Sequence, residues 1–296
     1  MKIFKSLAIW LLAFILTVSS AVYQRLTGPT HPARGKVEIG AESVSFKLPR
    51  SYNTGEDCPV SVKVPNSHTT GTIVWKRYKT GDEPQGIPML RDGEFLNGKL
   101  PMQPAAGKLE YQVLLRNGSE EKHLPEESPA VIRYKGAVPG SVLIPHIFIM
   151  FGAMLFSMRV LLGVIFKEKI KSLSWTTLVL LVFGGLILGP IVQKYAFGAF
   201  WTGWPFGEDL TDNKTLAAFI AWVLALWFLR GSEGEKRGRW WAFAASIVLF
   251  AVYMIPHSMR GSELDYSQIP QETEVGIMAS SPEMDSTEID TIKDIE

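Results

Sequence analysis

Residues 142–166 read VLIPHIFIMFGAMLFSMRVLLGVIF, and 167–171 continue at once as KEKIK. In the apolar run Arg159 is the one Lys, Arg, Asp or Glu. A helix of this length, rising about 1.5 Å per residue, crosses a hydrocarbon core about 30 Å thick. The lysines behind it, Lys167, Lys169 and Lys171, mark the cytoplasmic side of such a helix. Four more apolar runs lie outward from this one: 7–23 behind Lys2 and Lys5, then 173–192, 215–229 and 240–255. The last two are short and crowded by Trp222, Trp227, Trp240 and Trp241, which can anchor at a membrane interface. The link between them carries Arg230, Lys236, Arg237 and Arg239. Three basic clusters therefore point to one threading. They predict a membrane α-helical bundle of four to five transmembrane helices, multi-pass in the cell inner membrane, with membrane lipid around it. On the opposite side fall a polar region, the loop 193–214 and the C-terminus. Residues 1–23 read either as a signal peptide, with Ser19-Ser20-Ala21 as a small-residue cleavage site, or as a retained signal anchor. The bundle proper spans 141–257.

Between residues 35 and 136 the pattern changes to period two. Residues 43–48, 60–64, 72–78, 108–115 and 130–134 alternate apolar and polar, as half-buried strands do. Asn53-Thr-Gly55, Asp92-Gly93, Asn97-Gly98 and Asn117-Gly118 read as turns. Six or seven short strands predict an extracytoplasmic all-β sandwich, which resembles the immunoglobulin and fibronectin type III domains in architecture. Cys58 is the single cysteine, so no internal disulfide forms and zinc sites built from several cysteines are excluded. It reads as a small buried hydrophobe, and Trp75 as a residue packed between the sheets. Pro88, Pro101 and Pro104, with Arg77 and Arg91, protect an edge strand and a long loop or form a binding edge. His31, His68 and His123 are too scattered for a metal. The formal net charge is +1, which gives no case for nucleic acid.

Residues 195–215, YAFGAFWTGWPFGEDLTDNKT, are aromatic and glycine-rich, then acidic. They put Trp201 and Trp204 at the outer membrane surface, with Thr211 or Asp212 capping the helix that follows. Two histidines flank this loop in the threading, in Ile144-Pro-His146 and Ile255-Pro-His257. Here the chain resembles the tryptophan-rich motif of the membrane heme-handling proteins of cytochrome c assembly. The shared features are Gly198-Ala-Phe-Trp201, Trp204, Asp212-Asn-Lys-Thr215 and the flanking His146 and His257. The Trp-x-Trp-Asp core of that motif is absent. The resemblance implies heme held by His146 and His257 under Trp201 and Trp204. A copper reading needs no family. His146, Met150, Met154 and Met158 recur at steps of four, and Met254 lies three before His257. A set of His146, Met150, Met254 and His257 has the imidazole and thioether donors that suit Cu(I). Glu208, Asp209 and Asp212 lack the spacing of a calcium loop. No Gly-x-Ser-x-Gly, His-Glu-x-x-His or phosphate loop occurs.

From Gly261 the chain carries ten acidic residues against Lys293 alone, the composition of a disordered tail over 261–296. Its proximal part, 260–266, is richer and is expected to pack on the outer loop. The resulting expectation is a non-enzymatic accessory or assembly subunit that binds another membrane or envelope protein through its β domain. The alternative is a heme- or copper-handling protein.

Overall fold

A computed structural model describes residues 2–230, 234–256 and 263–268. His257 and nearly all of the acidic tail lie outside the described residues. The chain divides into two compact units, Met1–His31 with Gly136–Glu263, and Pro32–Lys135 with the segment from Leu264 onward.

The second unit is all-β in its described strands. The central strand is β9 (Lys108–Asn117), because every second residue is large and apolar: Leu109, Tyr111, Val113 and Leu115 are all buried. β9 pairs along one side with β5 (Thr70–Arg77). Its other side is shared by β11 (Ala130–Lys135) over the first half and β10 (Glu120–Leu124) over the second. Two outer strands complete this sheet, β6 (Gln85–Pro88) against β5 and β3 (Ser51–Asn53) parallel to β11. A second sheet orders β4 (Cys58–Lys63), β8 (Phe95–Leu100) and β7 (Leu90–Asp92). β1 (Ala33–Ile39) and β2 (Glu42–Leu48) form a hairpin. Inward residues from all three sheets, among them Val44, Leu48, Val60, Ile73, Trp75, Leu96 and Leu109, share one core. Cys58 is buried in it, and burial pushes its thiol up to about 12.

Three turn expectations fall at turns, at residues 53–55, 92–93 and 117–118. Gly118 takes φ +62°, a left-handed conformation open to glycine at little cost. Asn97-Gly98 is a correction, for it lies inside β8 opposite Ser61 and Val60. The glycine leaves room for Ile73: a Cβ there would lie 2.6 Å from Ile73 Cδ1, which would have to move. Arg91 is no free binding edge either. Its guanidinium donates to the carbonyls of Val64 (2.8 Å), Asn66 (2.9 Å) and Thr69 (2.5 Å) and staples that loop.

The first unit is helical: α1 (Lys2–Thr27), α2 (Gly140–Ile165), α3 (Lys171–Leu181), α4 (Gly189–Phe197), α5 (Leu210–Phe228) and α6 (Gly234–Met254). A π-helical stretch, Val182–Leu188, joins α3 to α4 in one continuous helix. Three helices, Ile3–Thr27, Gly140–Ile165 and Lys171–Phe197, are long and apolar enough to cross a membrane. They pack with α5 and α6 around Met154, Met158, Ala218, Trp222, Ala225, Ala242 and Ala245. The alanines let the helix backbones approach closely. Trp222 is fully buried here and is not an interfacial anchor; Trp227, Trp240 and Trp241 are exposed.

The two ends of this unit differ. At one, Glu168 gathers three helices. Its carboxylate takes a hydrogen bond from Arg159 of α2 and lies 3.8 Å from Lys5 of α1. Its carbonyl takes one from Arg239 of α6. Arg159 is only 4% exposed and also lies over the Trp10 ring. At the other end Gln24 of α1 donates to Tyr253 O of α6 (3.2 Å), and Gly136 N–H donates to Ala196 O (2.9 Å). Glu168→Ala should therefore unlock the basic end. Truncating one partner of a buried pair costs roughly 3–5 kcal/mol. Glu168 is partly exposed, so we expect a loss near the lower bound in unfolding of the detergent-solubilised chain.

Candidate functional site

The aromatic loop is built from the end of α4 onward. Gly198 closes α4 in the left-handed conformation (φ +88°), its N–H on Lys194 O. The side chain of Lys194 turns back to Gly198 O (2.6 Å). Contrary to the expected Thr211 or Asp212, Asp209 is the residue that caps α5. Its Oδ1 accepts from Thr211 N (2.7 Å) and Asp212 N (3.4 Å). Asp212 is buried and faces backwards. Its Oδ2 accepts the N–H groups of Thr202 (2.7 Å) and Gly203 (3.0 Å) and the amide of Gln193 (3.1 Å). A Cβ on Gly203 would lie 2.5 Å from Asp212 Cβ, so only glycine permits this approach. Asn213 Oδ1 accepts from Trp204 N (2.6 Å), and Lys214 Nζ donates to Ile255 O (2.9 Å). The Asp-Asn-Lys run is thus fully engaged in tying the loop to α4, α5 and the end of α6. Trp201 Nε1 donates to Trp204 O (3.1 Å), which brings the two tryptophans together. Trp204 is 69% exposed and Phe206 83% exposed, with Phe200 also outward.

His146 and Met150 also come together, against the π-helical stretch. His146 Nδ1 is 3.0 Å from Gly184 O. A carbonyl only accepts, so Nδ1 carries the proton and a neutral ring keeps its lone pair on Nε2. Met150 packs on the same glycine, where a Cβ would lie 2.8 Å from its Sδ. Met154 and Met158 continue into the buried core as packing residues. Met254 is half-buried in the last turn of α6. Among the described residues no group of three or more His, Cys, Asp or Glu could hold a metal ion.

A second site was missed by the sequence reading. The proximal tail was expected on the outer loop; instead, Leu264 and Tyr266 belong to the β unit. Leu264 N–H donates to Ala106 O (3.2 Å). The Tyr266 hydroxyl accepts from Lys108 N (3.0 Å) and lies 3.0 Å from Gln103 Oε1 and 3.1 Å from Lys108 O. Arg77 lies 5.1 Å over its ring. Burial pushes the phenol up to about 12. The available signal was one lone aromatic in an otherwise acidic, apolar-poor tail.

The same unit carries an open groove of about 390 Å³. Arg34, Lys36 and Arg50 line it together with Glu126, Glu127 and Phe46.

The sequence matches no protein-family model and no curated protein. The class defined by the fold is a membrane chain of apolar helices carrying a separate β unit. Within it, Asp212→Ala should release the aromatic loop. Hydrogen bonds to a charged group contribute roughly 1.5–3 kcal/mol. We expect a loss of that order in detergent and a red shift of tryptophan emission as the Trp201–Trp204 pair separates.

Proposed function

We propose that this is a non-enzymatic accessory or assembly subunit of the cell inner membrane. Its immunoglobulin-like β unit engages another envelope protein outside the cytoplasm. The observation that carries the reading is the groove of Arg34, Lys36, Arg50, Glu126 and Glu127. A groove that carries both signs of charge beside Phe46 suits a protein partner, because complementary charge sets specificity and register. The ends of the helical unit support the orientation. Lys5, Arg159, Lys167, Lys169 and Arg239 collect at one end, which the positive-inside rule assigns to the cytoplasm. The end of α1 and the start of α2 lie at the other, so the intervening β residues would be held outside. α5 and α6 would add spans four and five. α1 reads as a retained anchor, since Ile9 and Ala13 are buried in the bundle core.

Orientation is testable by cysteine labelling, because native Cys58 is buried and its thiol stays protonated. An impermeant maleimide should label Ser119→Cys in spheroplasts, and Lys169→Cys only after lysis. The reverse pattern would sink the topology. For the partner, affinity purification of the full chain should yield one dominant stoichiometric protein. Arg34→Glu with Lys36→Glu should lose it without unfolding the β unit. Retention by that double variant would remove the groove from the proposal.

A second reading, heme or copper handling, is favoured by one feature of His146. A ligating histidine usually donates its other ring N–H to a carbonyl or carboxylate, as His146 does to Gly184. Met150 stands beside it; Met254, His257, Trp201 and Trp204 would complete the set or cover it. The purified protein would then show a Soret band or stoichiometric copper, lost in His146→Ala. Absence of both in protein loaded with hemin or Cu(I) rejects this reading.

A further inference from the structure

The groups that receive Tyr266 are each held in place by other residues of the β unit. Ala106 N–H donates to Tyr134 O (3.0 Å), and Tyr134 N–H donates to Gly107 O (2.9 Å). These bonds tie the 104–107 turn to β11. Gln103 is only 5% exposed, and its amide nitrogen is fixed on Met102 O (2.7 Å), which aims Oε1 at the phenol. Met102 N–H is in turn held by Asp57 (2.9 Å). Arg77 is clamped by Asp82 through two bonds of 2.5 and 2.9 Å, which hold its guanidinium over the Tyr266 ring. The guanidinium holds the Asp82 carboxyl below the ordinary carboxylate range, which keeps the clamp ionised. Such an arrangement is preorganised for a phenol: a cationic roof, one backbone donor and one buried acceptor.

Polar satisfaction reads out the hydroxyl. Lys108 O already accepts from Tyr78 N (3.0 Å), whereas Lys108 N and Gln103 Oε1 meet the Tyr266 oxygen. A phenylalanine in the same place would leave Gln103 Oε1 without that donor, and a buried acceptor left unpaired costs more than an average hydrogen bond contributes. The segment entering the site is Leu264-Asp-Tyr266, and Asp265 closes a turn behind it by accepting from Ser267 N (3.0 Å) and Oγ (2.6 Å).

We propose that this is a recognition pocket for a tyrosine-bearing protein segment, occupied by the chain's own residues 264–268 and taken by a partner through displacement. The proposal deepens the accessory-subunit reading and rests on it, since it names the chemistry of the segment the β unit would bind. Held on the same chain, the resident segment competes at an effective concentration on the order of millimolar. A partner segment must therefore bind better than the resident one, or arrive when the resident one is withdrawn. The pocket is separate in its lining residues from the mixed-charge groove, so the two can be tested apart.

The experiment uses the full chain in detergent and a fluorescein-labelled peptide of residues 261–268, GSELDYSQ. Tyr266→Ala empties the pocket and should bind this peptide at least tenfold more tightly than wild type. The same peptide with phenylalanine in the tyrosine position should bind at least tenfold more weakly. Adding Gln103→Ala to the Tyr266→Ala chain should abolish binding with unchanged strand circular dichroism. Equal binding to wild type and Tyr266→Ala, or no saturable binding to Tyr266→Ala, overturns the proposal. A wild-type dimer that dissociates in Tyr266→Ala also overturns displacement, in favour of exchange between two copies. If peptide binding fails while the stoichiometric partner is still captured, only the pocket falls. If peptide binding succeeds and no partner is captured, the accessory-subunit reading falls and takes displacement with it, leaving an intramolecular dock for the tail.

Discussion

The helical unit depends on one ion pair placed where ions are expensive. Arg159 sits in the last two turns of α2, almost wholly buried, and a guanidinium there is tolerable only beside a counter-charge. Glu168 supplies it, and the same residue carries Lys5 and Arg239 with it. Three helices are therefore registered at one level by a single residue. The rest of the packing follows from that level. Trp10 meets Phe156 edge-on and Phe14 meets Phe151, one turn further along both helices. Small residues, Ala218, Ala225, Ala242 and Ala245, then let α5 and α6 close against each other, with α6 against α2.

The opposite end solves a different problem. It must close a glycine-rich aromatic loop whose backbone donors have no ladder of their own. Asp212 does so by collecting two backbone N–H groups and an amide on one oxygen. A third of the same kind is satisfied by Asn213. With its donors paired internally, the loop leaves Trp204, Phe200 and Phe206 outward. An amphipathic ring such as that of Trp204 sits comfortably where headgroups meet hydrocarbon. The π-helical stretch belongs to this end as well. Its widened turn presents Gly184 O to His146, and the glycines at 184 and 185 let Met150 and Thr215 lie against the backbone.

The β unit shows the same economy in reverse. Arg91 and Tyr111 spend their polar atoms on the loops beside them, three carbonyls for the guanidinium and Pro49 O (2.7 Å) for the phenol. Arg77, Gln103 and Lys108 are arranged just as firmly, but around a residue far away in the chain.

Much of this organisation is local and was legible in the sequence. Apolar runs must become helices in hydrocarbon, because no water is there to satisfy the backbone, and strict alternation must become half-buried strands. The reading of 142–166, 173–192, 108–115 and the Asn-Gly turn at 117 therefore needed no neighbours. Local rules failed where two distant segments compete for one feature. Asn97-Gly98 has the composition of a turn, yet Ile73 needs the space that the glycine leaves inside β8. Thr211 and Asp212 both have capping side chains, yet Asp209 takes the cap because Asp212 is drawn to the amides of residues 202 and 203. Trp222 has the look of an interfacial anchor, yet facing helices bury it. Tyr266 lies in a stretch whose composition resists folding, and only the pocket at Gln103 and Lys108 gives it a place. Sequence by itself determined which segments are helix and which are strand, since burial period is a property of neighbours along the chain. Tertiary structure alone decided which polar group answers which, since hydrogen-bond partners are chosen by distance in space.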